Sequence, residues 1–270
     1  MGARRRREAP EGGVSSAIQR EPRGQFDGVL QIVRYNWTLY VVAIFVSALV
    51  VALVLVIRPP AALAGLLILG AVAALFWLAL SLAVSHYVYD RSDLYRWQWI
   101  RERVASSPRH VVNIHAGLDE TSLAIQEMYP AAEVTMLDIY DPAEMPEPSI
   151  ARARREARSM LASVNADFRQ LPLETGSADL VTVIFVAHEL RRPASKEAFF
   201  HEASRVLQPG GRLLLVEHLR DGWNLAAFGP GAFHFFPRRE WLRVAGATGF
   251  QLGEEFSRTI FVRAFVFLRA

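Results

Sequence analysis

Two long apolar runs interrupt an otherwise ordinary mixture of polar and apolar positions. Residues 37–57 contain no charge, Arg58-Pro59-Pro60 breaks the run, and a second uncharged stretch covers 61–84. A spanning helix needs about 20 apolar residues, and backbone groups in lipid must bond within their own segment. The pattern therefore predicts a transmembrane helical hairpin over residues 29–88, with spans at 37–57 and 61–84 and the prolines at the turn. Neither run carries the polar stripe of a helix lying on the flank of a soluble core.

The flanks set an orientation. Residues 1–28 are rich in Arg, Gly, Pro and Glu and lack periodicity, which predicts a disordered basic tail. Its Arg4 to Arg7 cluster suits anionic headgroups and equally a topology signal. Arg20, Arg23 and Arg34 precede the first run, Arg91, Arg96, Arg101 and Arg103 follow the second, and the turn between them holds only Arg58. This asymmetry places both flanks in the cytoplasm, as an integral membrane protein with membrane lipids for neighbours. Residues 89–107 mix aromatics with charges and read as an amphipathic connector at headgroup level. Tyr95, Trp97 and Trp99 within it are also placed to pack on the following domain and cover a ligand there.

From residue 108 to 270 short apolar runs alternate with helical periodicity. Strands are predicted at 110–115, 133–138, 165–168, 179–186 and 212–218, with helices at 119–129, 149–164, 193–207 and 237–248, and a closing antiparallel pair at 251–256 and 259–268. This is an α/β domain with a doubly wound, mostly parallel, seven-stranded sheet, whose ligands belong beyond the carboxyl ends of the strands.

Composition narrows the chemistry. There is no cysteine, which removes disulfides, thiolate zinc sites and a cysteine nucleophile. Seven histidines are scattered without ligand spacing, so no metal site is expected. The net charge is only +3 with no basic stripe interleaved with aromatics, so no nucleic-acid partner is expected either.

Four segments carry a resemblance. VVNIHAGLDETS (111–122) follows the first strand, VTMLDIYDP (134–142) ends the second with an acid, 165–190 spans a loop and the fourth strand, and EASRVLQPGGRLLLVEH (202–218) joins a helix to a buried strand through Gly-Gly. In order and spacing residues 108–268 resemble a class I S-adenosylmethionine-dependent methyltransferase of the type 11 kind. The resemblance implies S-adenosylmethionine as cofactor, with Asp138 accepting from the ribose hydroxyls, Ile139 packed beside them, and Asp167 and Phe168 at the adenine. In the first turn Asn113 stands for an acid, while His115, Gly117 and Asp119 occupy three positions that the family fills with glycine, so one glycine remains. Asp119 is placed to cap the next helix or to pair with the ligand's amino group; His115 is either a strand-end residue or a contact to the methionine part. Such a turn is compatible with an adapted methyltransferase, with different chemistry on the same cofactor, or with a domain that binds without catalysis.

On the acceptor side, His188 and Glu189 follow the fourth strand, His218 ends the fifth, and His234 lies in the phenylalanine-rich loop 228–236. A histidine beside the transferred methyl suits a general base. The anchor and the aromatic loop point to a small apolar acceptor of the lipid, quinone or isoprenoid class. The alternative is a catalytically degenerate domain serving as a membrane-bound scaffold or ligand sensor. A nicotinamide oxidoreductase is disfavoured, because pyrophosphate needs an open G-x-G-x-x-G helix start. Oligomeric state is not readable from the sequence.

Overall fold

The computed structural model describes residues 24–156 and 163–270. Most of the basic tail and residues 157–162 of the helix expected over 149–164 lie outside the described residues. Helices α1 (Asp27–Ile57) and α2 (Ala61–His86) pack as a hairpin around Arg58, which takes the left-handed conformation at φ 50° and ends α1. Both are long and apolar enough to cross a membrane. Their large side chains, among them Leu39, Phe45, Val56, Leu66 and Phe76, lie exposed, an apolar surface far larger than water-facing proteins carry. Helix α1 starts well before the apolar run and is kinked where that run begins: Asn36 leaves helical geometry and its Nδ2 donates to the Ile32 carbonyl at 3.0 Å.

The first turn of α1 is capped from elsewhere in the chain. Asp90, in a π-helical turn at Tyr87–Arg91, accepts from the backbone N–H of Gly28 at 2.6 Å and of Val29 at 3.0 Å, and meets His86 Nδ1 at 3.0 Å. A carboxylate there satisfies donors that a helix start leaves open and complements its dipole.

The connector packs on the domain that follows it. Val88, Leu94, Trp97, Trp99, Val104 and Ile100 of helix α3 (Gln98–Arg103) are buried in one core with Val111, Leu180, Leu214 and Phe256. Packing therefore begins at Val88 rather than at residue 108. Two tryptophans bring more apolar area than any single aliphatic side chain, and Trp99 finds a partner for its indole N–H in the Leu94 carbonyl at 3.1 Å.

The sheet comprises β1 (His110–His115), β2 (Glu133–Asp138), β3 (Val164–Asn165), β4 (Ala178–Ile184), β5 (Leu207–His218), β6 (Phe250–Thr259) and β7 (Val262–Arg269) in the order 3-2-1-4-5-7-6. The first five strands are parallel, and β7 runs antiparallel between β5 and β6. Side-chain alternation divides two cores: Val112, Leu213 and Leu215 face one side with Phe199, Phe200 and Trp241, while Val111, Leu214 and Val216 face the connector. Helices α4 (Ser122–Met128), α5 (Pro148–Glu156), α6 (Pro193–Val206), α7 (Gly222–Phe228) and α8 (Arg238–Ala247) complete the domain.

Three boundaries differ from expectation. The strand expected at 165–168 is only Val164–Asn165, because Asp167 folds back to accept from the Arg169 N–H at 2.8 Å. The helix expected from 119 begins at Ser122, with Thr121 at its N-cap and Asp119 two residues before that. Strand β5 takes in the Gly-Gly turn, with a register shift against β4 between Ala178 and Leu180.

Candidate active site

The carboxyl ends of β1 and β4 open on a cavity of ≈ 240 Å³. Its walls come from five places: His115, Leu118 and Thr121 at the end of β1 and the turn that follows; Phe185, Val186 and Glu189 after β4; Ile150 and Ala153 of α5; Ile32, Tyr35 and Asn36 of α1; and Tyr95 and Trp97 from the connector. Phe185 holds a left-handed backbone at φ 55°, unusual for a bulky residue and a mark of a position fixed by its surroundings.

The first turn is built without its usual glycines by hydrogen bonding. Asn113 is fully buried; its Nδ2 donates to Thr121 Oγ1 at 2.9 Å and Ser122 Oγ at 2.7 Å, and its Oδ1 accepts from Thr182 Oγ1 at 2.6 Å. It ties β1 to β4 and to α4, so its amide is committed to the protein and not to a ligand. Asp119 Oδ1 accepts from the N–H groups of Thr121 at 3.1 Å and Ser122 at 2.9 Å, the capping role. Gly117, at φ 97°, is the position that needs glycine: a Cβ there would fall 2.0 Å from Arg154 Nη1. Its N–H donates to His115 Nδ1 at 3.0 Å, which leaves the ring proton on Nε2. That Nε2 is buried without a partner among the described residues. Burial pushes the His115 pKa down, against the pull of the Asp119 and Asp138 carboxylates, so the ring is a neutral donor at the cavity wall.

Asp138 ends β2 as expected and is nearly buried. Its two oxygens accept from one guanidinium nitrogen, Nη1 of Arg154 on α5, at 2.8 and 2.7 Å. The guanidinium also lies over the Tyr140 ring, 4.1 Å from its centre. Two residues earlier, Arg152 donates to the Tyr35 carbonyl of α1 at 2.6 Å and lies over the Trp37 ring. Helix α5 thus touches the kink of α1 on one side and the Asp138 carboxylate on the other. Ile139 and Phe168 are fully buried in the core, and Arg169 covers the Phe168 ring at 4.0 Å, while Asp167 is exposed. Neither apolar side chain presents a face to the cavity.

The structure also brings His234 to the adjacent pair His188 and Glu189. His188, Glu189 and His234 place nitrogen and oxygen atoms within 4.8 Å of one another. His188 Nδ1 meets Glu217 Oε2 at 2.7 Å and its Nε2 meets Glu189 Oε1 at 3.2 Å; His234 Nδ1 meets Glu147 Oε1 at 3.0 Å and its Nε2 lies 3.7 Å from the same Glu189 oxygen. Burial alone lowers the His188 pKa, but the Glu217 and Glu189 carboxylates outweigh it and raise it well above the usual value. For Glu189, burial pulls upward and the two histidines overcome it, holding the carboxyl well below its usual range. Spacing gave no warning of this cluster, since His234 reaches it on a loop after β5.

His218 is not part of it. Its Nε2 meets the Tyr89 hydroxyl at 2.8 Å, its Nδ1 faces the Phe261 carbonyl at 2.9 Å, and the ring is stacked between Phe185 and Phe235. Both nitrogens are occupied by protein groups, which suits a packing role rather than a base. Burial pushes its pKa down to about 4. The unfolded chain takes up this proton near pH 6.5 and the folded chain resists it, so stability is present above pH 6.5 and falls as the pH approaches 4. Thermal melts of His218→Gln are expected to vary less between pH 6.5 and 5 than those of the parent, with His115 contributing a smaller slope of the same sign. Parallel curves would remove His218 as the responsible group.

In the aromatic loop, Phe228 and Phe235 pack edge-to-face near His218, whereas Phe233 is exposed, as is Trp223 on α7. Trp77 of α2 donates to the Ala226 carbonyl at 3.0 Å and holds this region beside the hairpin.

Residues 114–215 match the family described as a methyltransferase domain. The chain carries a methyltransferase domain of the class I fold. This methyltransferase domain is 33% identical over 125 residues to demethylmenaquinone methyltransferase of Thermus thermophilus, covering 44% of this chain and 54% of that one. It is 26% identical over 153 residues to the ubiquinone/menaquinone biosynthesis C-methyltransferase of Syntrophotalea carbinolica, covering 56% and 61%. The chain thus spans little more than half the length of these curated relatives. A solved S-adenosylmethionine-dependent methyltransferase from Aquifex aeolicus aligns at 15% identity with a TM-score of 0.47, over 60% of this chain and 82% of that one.

The residues of the methyltransferase domain fit the cofactor that its family uses. The unpartnered His115 Nε2–H offers a donor to a carboxylate, and Gly117 leaves room for close approach to the backbone. The Arg154 N–H groups stand on Asp138 where the hydroxyls of a diol would donate.

Proposed function

We propose that this chain is a membrane-anchored S-adenosylmethionine-dependent methyltransferase whose acceptor is an apolar molecule of the quinone class, delivered from the bilayer. The observation that carries this reading is the composition of the cavity: Ile32, Tyr35 and Asn36 of α1 line it together with His115 and Glu189. The kink at Asn36 lies where the apolar run of α1 begins, so an acceptor leaving the lipid along α1 arrives at the cavity directly. The exposed Trp223 and Phe233 add an apolar margin beside α2. The names of the curated relatives support the quinone class, and the arginine distribution supports a cytoplasmic position for both flanks of the hairpin.

The cofactor, when bound, supplies an electrophilic methyl group. The residues of this chain do the remaining work. Asp138 would accept from the ribose hydroxyls in place of Arg154, His115 would donate to the amino-acid end, and Phe185, Val186 and the connector aromatics exclude water. Glu189 lines the cavity and offers its carboxylate to an incoming hydroxyl, while His188, held by Glu217, orients it. Fixing donor and acceptor in line is the main contribution to rate that such a site makes.

The test uses the full-length protein in detergent or nanodiscs with methyl-labelled S-adenosylmethionine. Label is expected in an organic-extractable product when membrane lipid extracts or prenylated quinols are supplied. Turnover confined to water-soluble acceptors would overturn the reading.

A further inference from the structure

We propose that His188, Glu189 and His234 form a binding site for one first-row divalent cation, set at the acceptor side of the cavity. Two imidazoles and one carboxylate in this arrangement leave several coordination positions open, as catalytic rather than structural sites do.

The argument rests on where the lone pairs point. Each histidine turns its Nδ1 to a carboxylate, His188 to Glu217 at 2.7 Å and His234 to Glu147 at 3.0 Å. Carboxylates accept, so each Nδ1 carries the hydrogen and each Nε2 of a neutral ring presents a lone pair. Both Nε2 atoms are directed at the same carboxylate, that of Glu189, at 3.2 and 3.7 Å from Oε1. Its second oxygen, Oε2, is buried with no partner among the described residues. The convergence calls for positive charge, and against the effect of burial the surrounding carboxylates favour it as protons on the rings, raising both histidines above their usual value. A divalent cation supplies the same positive charge at the point of convergence.

The spacing agrees. Ligands about 2.1 Å from a metal lie roughly 3.0 Å apart at right angles and about 3.4 Å apart in a tetrahedron. The two Nε2–Oε1 separations are close to those values without rearrangement of the backbone. A carboxylate behind the far nitrogen of each metal-bound histidine is the usual outer partner, because it fixes the tautomer and ring orientation. Here both histidines have one, and the Glu217 carboxylate is fully buried. His234 is about a quarter exposed and Glu147 more so, which leaves a path for the ion from solvent. Nitrogen-rich ligation of this kind favours iron, cobalt, nickel, copper or zinc over magnesium, calcium and manganese.

Placed here, the cation would hold an oxygen anion of the acceptor, such as a quinol or enolate oxygen, facing the cavity that Glu189 lines. That role rests on the methyltransferase reading above; the site itself does not. Its test therefore omits both cofactor and acceptor. Detergent-purified full-length protein without an affinity tag is stripped with chelator and titrated with Co²⁺, followed by visible absorbance and calorimetry. One equivalent is expected to bind and to develop ligand-field bands of nitrogen–oxygen coordination. Glu189→Gln and His234→Ala are expected to weaken binding at least tenfold, and Glu217→Gln, which leaves all three ligands in place, about 10- to 100-fold. His201→Ala, on the exposed face of α6, serves as the control and is expected to bind as the parent does. Circular dichroism checks that each variant is folded. Absence of a saturable site in the folded parent overturns the proposal, as does binding that persists unchanged in both Glu189→Gln and His234→Ala. A cation site in a chain that fails to methylate lipid would refute the methyltransferase reading alone.

Discussion

Replacing Arg154 by alanine is expected to tighten S-adenosylmethionine binding by about tenfold, while Asp138→Ala weakens it by roughly 10- to 150-fold. The second figure follows from hydrogen bonds to a charged acceptor, worth about 1.5–3 kcal/mol each way. The first follows from competition. Arg154 already occupies both oxygens of Asp138, and its guanidinium overlaps the space above Gly117, so ligand entry must break that pair. The arginine is about a quarter exposed, which limits the pair to about 1–2 kcal/mol. Titration calorimetry on the two single variants decides the matter. Unchanged affinity in Asp138→Ala would remove that residue from the site. Weaker binding in Arg154→Ala would make the arginine a ligand contact instead of a competitor.

Trp99→Ala is expected to destabilise the domain by about 3–5 kcal/mol, a large part of the 5–15 kcal/mol that folded domains usually possess. Its ring is almost completely buried, meets Phe256 edge-on at 5.8 Å, lies under the Arg258 guanidinium at 4.8 Å and spends its N–H on Leu94. Removal leaves a cavity between the connector and the sheet and takes the ring from under Arg258, whose Nε already lacks a partner among the described residues and whose Nη2 reaches the Asp93 carbonyl at 3.4 Å. Denaturant titration in detergent, followed by far-ultraviolet circular dichroism, measures the shift. A residue lying only on lipid headgroups would change the midpoint by less than about 0.5 kcal/mol.

These two residues also mark what the sequence could and could not reveal. The alternation of strands and helices, the apolar spans and the acid ending β2 were legible, because period and turn chemistry are local properties. The partner of Asp138 was not: Arg154 lies within the helix predicted over 149–164, and only the docking of α5 against the kink of α1 brings it over the strand end. Trp99 was ambiguous for a related reason, since a mixed aromatic and charged segment fits a membrane surface and a protein surface equally well. Asn113 looked like a substituted ligand contact, yet its amide is consumed inside the turn, where Thr182 of β4 and Thr121 and Ser122 at the start of α4 supply partners. The cluster of His188, Glu189 and His234 escaped because its members were judged one at a time, and their convergence depends on how the loop after β5 folds back.

The cap that Asp90 places on α1 has a consequence for how this architecture can vary. The start of the apolar hairpin draws two of its hydrogen bonds from the segment that follows the hairpin. Anchor and domain are therefore not interchangeable cassettes: a foreign hairpin would arrive with its opening turn unclosed, and a transplanted domain would carry a buried aspartate with nothing to hold. Exchange between such proteins would have to carry the stretch from Gly28 through Asp90 as one piece.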